Sequence, residues 1–356
     1  MRIVDMKAFF IVLPLLICLV WLAILTLDCA LSRRGREQRV LAAYALVCTL
    51  LYGCHAWHFM GPHTAFGPVD VLYSFCTLAC YVVYYLYIKS LTEKDGISWR
   101  DALWLLPAVL TSLLAAVLLL LGKDTSSVPL VTKILTPLEI IPVAWFGLRR
   151  LQRFDRRVEG FYSDPENHST RPVRILMLIF LSLALLAFVA NVIGRDYFSC
   201  SMRIAIPSLL FGSLQFAILY VGSRQPSSAE EMAAETQDAE EGPGDADTFG
   251  ERIRRLMVEN RLYRQKGLKI TDVAAAVGSN RTYVSQWFNR ECGQSFSDYI
   301  NTWRIEEAKS LLLAAEAAPS LSEIAEEAGF SSESAFFRNF YARTGLSPLA
   351  WLKEHR

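Results

Sequence analysis

The sequence predicts an all-α protein in two parts: a polytopic helical membrane bundle of about seven spans, followed by a soluble domain with two helix-turn-helix units. Three observations support this prediction. Long apolar stretches recur through the first two thirds of the 356 residues, and a short acidic stretch follows them. The last third then carries a helical pattern that occurs twice.

The apolar stretches are long enough for membrane spans, because a helix needs about 20 apolar residues to cross the hydrocarbon core. The windows are 8–28, 39–60, 69–91, 101–122, 128–148, 175–194 and 203–222. The fifth is the least apolar, since it contains Lys133, Glu139 and three prolines. The first is read as a span because it exceeds the ~7–15 residues of a signal-peptide core. Residues 1–224 are therefore predicted to form a seven-span transmembrane domain.

The loops between the spans differ in their content of Lys and Arg, which predicts an orientation. Basic residues cluster after the first, third and fifth spans: Arg33, Arg34, Arg36, Arg39, Lys89, Lys94, Arg100, Arg149, Arg150, Arg153, Arg156, Arg157, Arg171 and Arg174. The alternate loops contain few. This bias predicts an N-terminus outside the membrane and a C-terminus in the cytoplasm, and a six-span count would place one basic group outside.

Residues 225–247 contain eight acidic residues, no Lys or Arg, and almost no large apolar side chain. Such a segment cannot bury enough apolar surface to offset its ordering entropy. We therefore expect an acidic disordered linker.

The last third of the chain carries the same pattern twice. The positions are Ala274, Gly278, Val284, Phe288 and Gly293 in one copy, and Ala325, Gly329, Phe336, Phe340 and Gly345 in the other. In each copy the small residue lets two helices approach closely, and the first glycine allows the turn between them. Asn280 and Ser332 suit the N-cap of the second helix. Residues 295–315, with apolar residues at helical spacing, predict one connecting helix.

These residues carry a resemblance to a known family. The stretches "DVAAAVGSNRTYVSQWFNRECGQSFSDYINTWRIEEAKSLL" and "LSEIAEEAGFSSESAFFRNFYARTGLSPLAWLK" resemble the DNA-binding domain of the AraC/XylS family of bacterial transcription regulators. The resemblance covers nearly all of residues 248–356 and none of residues 1–247. It implies two recognition helices in successive segments of the major groove, and it places the membrane part in a bacterial inner membrane.

The resemblance also implies which side chains meet DNA. The positions are Asn280, Arg281, Thr282, Ser285, Gln286, Ser332, Glu333, Ser334 and Arg338. Arg338 can pair with guanine, Gln286 with adenine, and Glu333 with the amino group of cytosine. Asn280, Arg281 and Ser332 suit phosphate contacts, which position the protein without specifying sequence. Thr282 and Ser285 could equally be solvated side chains.

Polar side chains inside the spans mark candidate sensing residues, because burying them in a membrane is costly. They are His55, His58, Lys133, Glu139 and Asn191. His55 and His58 lie one helical turn apart and could line a ligand pocket, or could face the headgroup interface. No third metal ligand is identifiable, and neither a metal site nor a cofactor is predicted.

Together these features predict a membrane-embedded transcription regulator and not an enzyme, since no nucleophile or paired-carboxylate arrangement emerges. The expected partners are double-stranded promoter DNA, membrane lipid, a second copy of the chain, and an unidentified small-molecule or envelope signal. A transporter with a C-terminal regulatory tail, a regulator with an inert anchor, and proteolytic release of the tail remain alternatives.

Overall fold

The structure, a computed structural model, describes residues 3–32, 35–60, 67–123, 128–193, 203–226, 228–234, 246–315 and 320–355. The chain divides into two compact units. The bundle unit comprises Met1–Gln152 and Thr170–Glu230, and the C-terminal unit comprises Arg153–Ser169 and Glu231–Arg356.

The bundle unit is built from long helices that pack side by side. Their bounds are α1 Ile3–Ser32, α2 Arg36–Met60, α3 Pro68–Thr92, α4 Trp99–Ala102, α5 Leu106–Leu120, α6 Val128–Glu159, α7 Arg171–Ile193 and α8 Ala205–Ser223. A short helix, α9 Ser228–Ala234, begins in the bundle unit and ends in the C-terminal unit. A 3-10 turn, Leu103–Leu105, joins α4 to α5. Seven helices in the described part are long and apolar enough to cross a membrane, one at each predicted window.

The core of the bundle unit lies where α1, α2, α3 and α8 meet, and it includes Leu25, Leu41, Tyr84 and Leu219. The doubtful fifth window is part of one continuous helix, although Pro137 and Pro142 lie inside it. Proline is tolerated in apolar spans because neighbouring hydroxyls and helices satisfy the freed backbone groups.

One end of the bundle unit gathers basic residues and their partners. Lys89 lies 2.7 Å from Asp101, and Arg150 pairs with Glu93. Arg36 donates to the Glu93 carbonyl at 2.8 Å. These residues come from the start of α2, the end of α3 and the residue after it, the start of α4, and the second half of α6. The basic loop residues that the sequence assigns to one side of the membrane therefore include side chains that meet at one end of the bundle.

The C-terminal unit is also helical, and no strand occurs among its described residues. Its helices are α10 Ala246–Val258, α11 Ile270–Ala276, α12 Arg281–Gln286, α13 Phe296–Ala314, α14 Leu321–Glu327, α15 Glu333–Thr344 and α16 Pro348–His355. Short 3-10 turns occupy Pro165–Asn167 and Leu262–Arg264. An isolated antiparallel bridge joins Tyr162 to Lys269.

The structure differs from the expected disorder of the linker over residues 228–234, which form the helix α9. Met232 is 5% exposed, and Glu231 lies 2.6 Å from the ammonium of Lys269. These contacts supply the burial and charge pairing that the composition of the whole linker does not suggest. Residues 235–245 lie outside the described residues.

Candidate nucleic-acid interface

The first helix-turn-helix unit has the predicted geometry. Gly278 adopts a positive φ of 63° between α11 and α12. The Asn280 side chain caps α12 by accepting a hydrogen bond from the Tyr283 backbone N–H at 3.0 Å. Val284 and Phe288 are buried, as expected for the core face of the second helix. The helix is therefore held by its N-cap at Asn280 and by its buried face. Its polar residues project from the other face.

The second half of this recognition helix was not predicted. After Gln286 the chain continues as a π-helix, Trp287–Cys292, and ends at Gly293 with φ 66°. π-helical turns inside helices are rare, so the sequence pattern alone does not predict one. Such turns often lie at functional sites. The side chains beyond Gln286 are consequently rotated from the positions that a regular α-helix would give them.

The second unit repeats this plan with a regular helix. Gly329 has φ 91°, and Ser332 caps α15 by accepting from the Ala335 N–H at 3.2 Å. Helix α15 remains α-helical to Thr344 and ends at Gly345, whose φ is 73°. Phe336 and Phe340 form the core of this unit together with residues of α13, α14 and α16.

Helix α13 connects the two helix-turn-helix units. It contains a buried arginine that the sequence analysis did not identify. Arg304 has no exposed surface. Its guanidinium donates to the Asp164 carboxylate at 2.9 Å, and its Nε donates to the Tyr263 carbonyl at 2.7 Å. Burial lowers the pKa of Arg304, and the Asp164 carboxylate opposes that effect. A lone arginine within an apolar helical repeat is the signal that could have identified it.

The predicted DNA-contacting residues lie on the two capped helices α12 and α15 or at their N-caps. Exposed residues are Thr282, Gln286, Ser332, Glu333, Ser334 and Arg338, and half-buried residues are Asn280, Arg281 and Ser285. The structure thus places a short set of polar side chains at the start of each second helix. This is the part of a helix-turn-helix unit that enters the major groove.

Comparison with known proteins agrees with this geometry. Residues 273–354 match a family model described as a helix-turn-helix domain. They form an AraC-type helix-turn-helix domain.

Three relatives are transcription regulators by name or description. The transcriptional activator RhrA of Rhizobium meliloti is 39% identical over 26% of this chain and 29% of its own length. The uncharacterized HTH-type transcriptional regulator YobQ of Bacillus subtilis is 36% identical over 23% of this chain and 33% of its own. The virulence regulon transcriptional activator VirF of Yersinia enterocolitica is 36% identical over 28% and 34%.

These matches concern one part of the molecule. The chain spans about a third of the length of these relatives. No solved structure matches the chain. The AraC-type domain is therefore shown by sequence similarity, and the relatives carry no information on the bundle unit.

Two arginines of the AraC-type domain meet other parts of the C-terminal unit. Arg338 donates through Nε to one oxygen of Glu166 at 3.0 Å and through Nη2 to the other oxygen. This hydrogen bonding raises the pKa of Arg338. Arg281 donates to the Met232 carbonyl at 2.9 Å. Both arginines are predicted DNA contacts, and no sequence pattern indicates these partners.

The candidate sensing residues of the bundle unit fall into three groups. His55, His58 and Lys133 line one cavity of about 510 Å³. Glu139 is 6% exposed, and within the described residues neither carboxylate oxygen has a hydrogen-bond partner. The side chain of Asn191 lies outside the described residues.

The two histidines have aromatic and acidic neighbours. The rings of His55 and His58 lie 5.1 and 5.5 Å from the ring of Tyr73. His58 Nε2 lies 3.0 Å from the carboxylate of Asp70. Among the residues that the structure describes, no group of three His, Cys, Asp or Glu side chains could hold a metal ion.

Proposed function

We propose that this chain is a membrane-embedded transcription regulator that binds specific promoter DNA through two helix-turn-helix units and responds to a signal received by its bundle unit. The AraC-type domain and its regulator relatives support the DNA-binding part. The observation that carries it furthest is the pair of capped helices, each exposing polar side chains beside a glycine turn.

Within this proposal the side chains divide between base contact and positioning. Arg338 offers the fork that pairs with guanine O6 and N7, while Gln286 suits adenine and Glu333 accepts from cytosine. Asn280, Arg281 and Ser332 lie at the helix starts, where phosphate oxygens are bound without sequence preference. Thr282, Ser285 and Ser334 complete the exposed or half-buried polar face.

We propose that the bundle unit crosses a bacterial inner membrane seven times, with the N-terminus outside and the AraC-type domain in the cytoplasm. Seven helices are suited to this by length and composition. The pairing of Arg36, Lys89 and Arg150 with groups at one end of the bundle supports a common side for three basic loops. Under the positive-inside rule that end faces the cytoplasm.

The cavity of the bundle unit is the proposed site of the signal. It is lined by residues near the end of α2, the start of α3, the start of α6 and the start of α8, including His58, Tyr73, Lys133 and Pro207. The basic residues Arg36, Lys89 and Arg150 lie at the other ends of α2, α3 and α6. The proposed orientation therefore puts the cavity in the outer half of the bundle. Its volume of about 510 Å³ falls within the range of small-molecule pockets.

A filled-cavity variant tests the sensing proposal. Thr136→Trp would occupy the cavity from its α6 side, whereas Leu138→Trp places the same ring on a side chain that is 63% exposed. We expect a promoter reporter to lose its response to growth conditions in the first variant and to keep it in the second. Equal responses would remove the cavity from the signalling role.

Pairing of two chains is part of the proposal, because the C-terminal region is only slightly positive by sequence. Its non-specific affinity for DNA should then be modest and salt-dependent. Two tethered domains on a doubled site would gain from a raised effective concentration. Crosslinking in intact membranes tests this, and a monomer under every growth condition would contradict it.

The decisive experiment is a crosslink-and-sequence map of chromosomal sites bound by the full-length protein, beside the same map for Arg338→Ala. We expect discrete sites in the first map and their loss in the second. The absence of sites under any condition would contradict DNA binding by the membrane-bound chain. A transporter with a regulatory tail is the alternative that the cavity also suits, and solute uptake that survives deletion of residues 248–356 would favour it.

A further inference from the structure

A seven-residue segment of the C-terminal unit, residues 161–167, lies against the AraC-type domain. It follows α6 in the chain and is called the docked segment below. Its backbone pairs with residues 268–270 at the start of α11: the Ser163 N–H donates to the Leu268 carbonyl at 2.9 Å, and the Ile270 N–H donates to the Phe161 carbonyl at 2.9 Å. An extended peptide that adds backbone hydrogen bonds in this way is a recognised mode of peptide binding.

The first half of the docked segment is buried. Phe161 and Ser163 have no exposed surface, and Asp164 is 7% exposed. The Asp164 carboxylate accepts from the Arg304 guanidinium at 2.9 Å and from the Gly267 N–H at 3.2 Å. Because a buried charge is tolerated only when it is paired and hydrogen-bonded, the domain contains a built site for this carboxylate.

The second half of the docked segment reaches the recognition helix α15. The 3-10 turn Pro165–Asn167 places Glu166 against Arg338, where both carboxylate oxygens accept hydrogen bonds from the guanidinium. Asn167 Nδ2 lies 3.5 Å from Ser331 Oγ, directly before the α15 cap. The Arg338 fork therefore makes to Glu166 the two-bond contact that it would make to guanine.

The docked segment also touches the first recognition helix. The guanidinium of Arg281 lies 4.9 Å from the centre of the Phe161 ring, which is within the range of a cation–π contact. The same guanidinium donates to the Met232 carbonyl. The arginine that each second helix offers to DNA is thus held by contacts within the C-terminal unit.

We propose that residues 161–167 are an internal competitor of DNA: in the docked state Glu166 occupies the Arg338 fork and Phe161 holds Arg281, and promoter binding requires Glu166 to leave. This inference rests on the proposed function, in which Arg338 reads a base. A carboxylate at this position also places negative charge on the surface that must accept phosphates.

The two acidic residues of the segment have different roles. The Asp164–Arg304 pair is buried, with side-chain exposures of 6% and 0%, so it anchors the segment. The Glu166–Arg338 pair is exposed at 34% and 57%, and solvent-exposed pairs contribute little and are screened by salt. Glu166 can therefore be displaced while the anchor stays in place. The segment follows α6 in the chain, and the first half of α6 contributes residues to the cavity lining.

The test compares Glu166→Gln with Glu159→Gln, which makes the same change of charge on the same stretch of chain. Both are introduced into the full-length protein, and site occupancy is measured by the chromosomal map and by titrating an enriched fragment with protein in detergent. Glu166→Gln should tighten binding about three- to fivefold, in keeping with the small value of an exposed pair, and Glu159→Gln should leave it unchanged. Equal effects of the two variants, or weaker binding by Glu166→Gln, would overturn the proposal.

A second variant holds the segment in place. Asn167→Cys with Ser331→Cys should form a disulfide on oxidation, because the native side chains are in contact. The oxidised protein should lose at least tenfold in affinity for the same fragment and regain it on reduction, while each single variant should not respond. Failure to crosslink, or full binding in the crosslinked state, would overturn the docked competitor. Loss of all sites in Arg338→Ala would still support the proposed DNA binding. Failure of the docked competitor can therefore be distinguished from failure of the proposed function.

Discussion

The two helix-turn-helix units share one sequence pattern but are supported differently. In the first, the turn at Gly278 is open, since no atom lies within 4 Å of the position of an added Cβ. In the second, a Cβ at Gly329 would lie 2.6 Å from the Cα of Arg264. The first recognition helix changes to a π-helix after Gln286, whereas the second stays α-helical through twelve residues.

The comparison shows that a repeated motif specifies a local geometry and leaves the contacts around it open. Both units have a left-handed glycine and a side-chain N-cap, which are local features. In the second, the turn is also pressed against the backbone near Tyr263, and Arg338 pairs with the Glu166 carboxylate. The second unit is therefore the more constrained of the two, and the following predictions test this difference.

The largest expected effect is at the turns. Gly278→Ala should cost about 1–2 kcal/mol, the penalty for a left-handed backbone with a Cβ. Gly329→Ala should cost about 3–4 kcal/mol, because the same penalty is joined by a clash with backbone atoms. Amide hydrogen exchange of the full-length protein, followed over peptides of each turn, measures both. Equal costs would contradict the difference in constraint.

The next effect is on DNA recognition. Arg338→Ala should cost about 1–3 kcal/mol at one base pair and relax specificity there. Arg281→Ala should weaken binding to all sequences alike and reduce the salt dependence by about one phosphate contact. Titration of full-length variants against single-base variants of an enriched fragment separates the two patterns. If Arg281→Ala relaxed specificity and Arg338→Ala weakened binding to all sequences, Arg281 would be the base contact and Arg338 the phosphate contact.

Replacing the N-cap residue should reduce stability by a similar amount in the two helix-turn-helix units. Asn280→Ala and Ser332→Ala should each destabilise their helix by about 1 kcal/mol, because each removes one side-chain hydrogen bond to the first turn. Replacement of the same residues by Gly should cost only about a few tenths of a kcal/mol. Hydrogen exchange of the helix starts measures these values, and an Ala effect equal to the Gly effect would exclude capping.

The smallest effect concerns pH and the docked segment. His168 stacks on Tyr162 with ring centres 3.7 Å apart, and burial lowers its pKa from the usual 6.5. Lys269 lowers the pKa further, whereas Glu231 and Asp164 raise it. A depressed pKa means that the undocked state binds the proton more readily, so docking is complete above pH 6.5 and weakens as pH falls.

Affinity for DNA should therefore rise slightly between about pH 7.5 and about pH 6 in the wild type. The rise should be smaller in His168→Gln, which cannot take up the proton. Titrations of both proteins at matched ionic strength measure the difference. An identical rise in both would assign the pH dependence to other groups.

Much of the fold could be predicted from the sequence, because the features concerned are local or periodic. Seven apolar windows predict the long helices, since length and hydropathy decide whether a helix can span a bilayer. Gly278, Gly329, Asn280 and Ser332 predict turns and caps, since φ sterics and the free N–H groups of a first helical turn act within four residues. The similarity of residues 273–354 to a helix-turn-helix domain was visible for the same reason.

Only the tertiary structure decided which side chains distant in sequence meet. Arg304 finds Asp164 from 140 residues away, and Arg338 finds Glu166 from 172 residues away. No periodicity or composition encodes such pairs, because they depend on how the helices and the segment pack against one another. The sequence determined two capped helices with exposed polar side chains and a set of long apolar helices. The packing determined that an acidic segment after α6 lies on one of the capped helices.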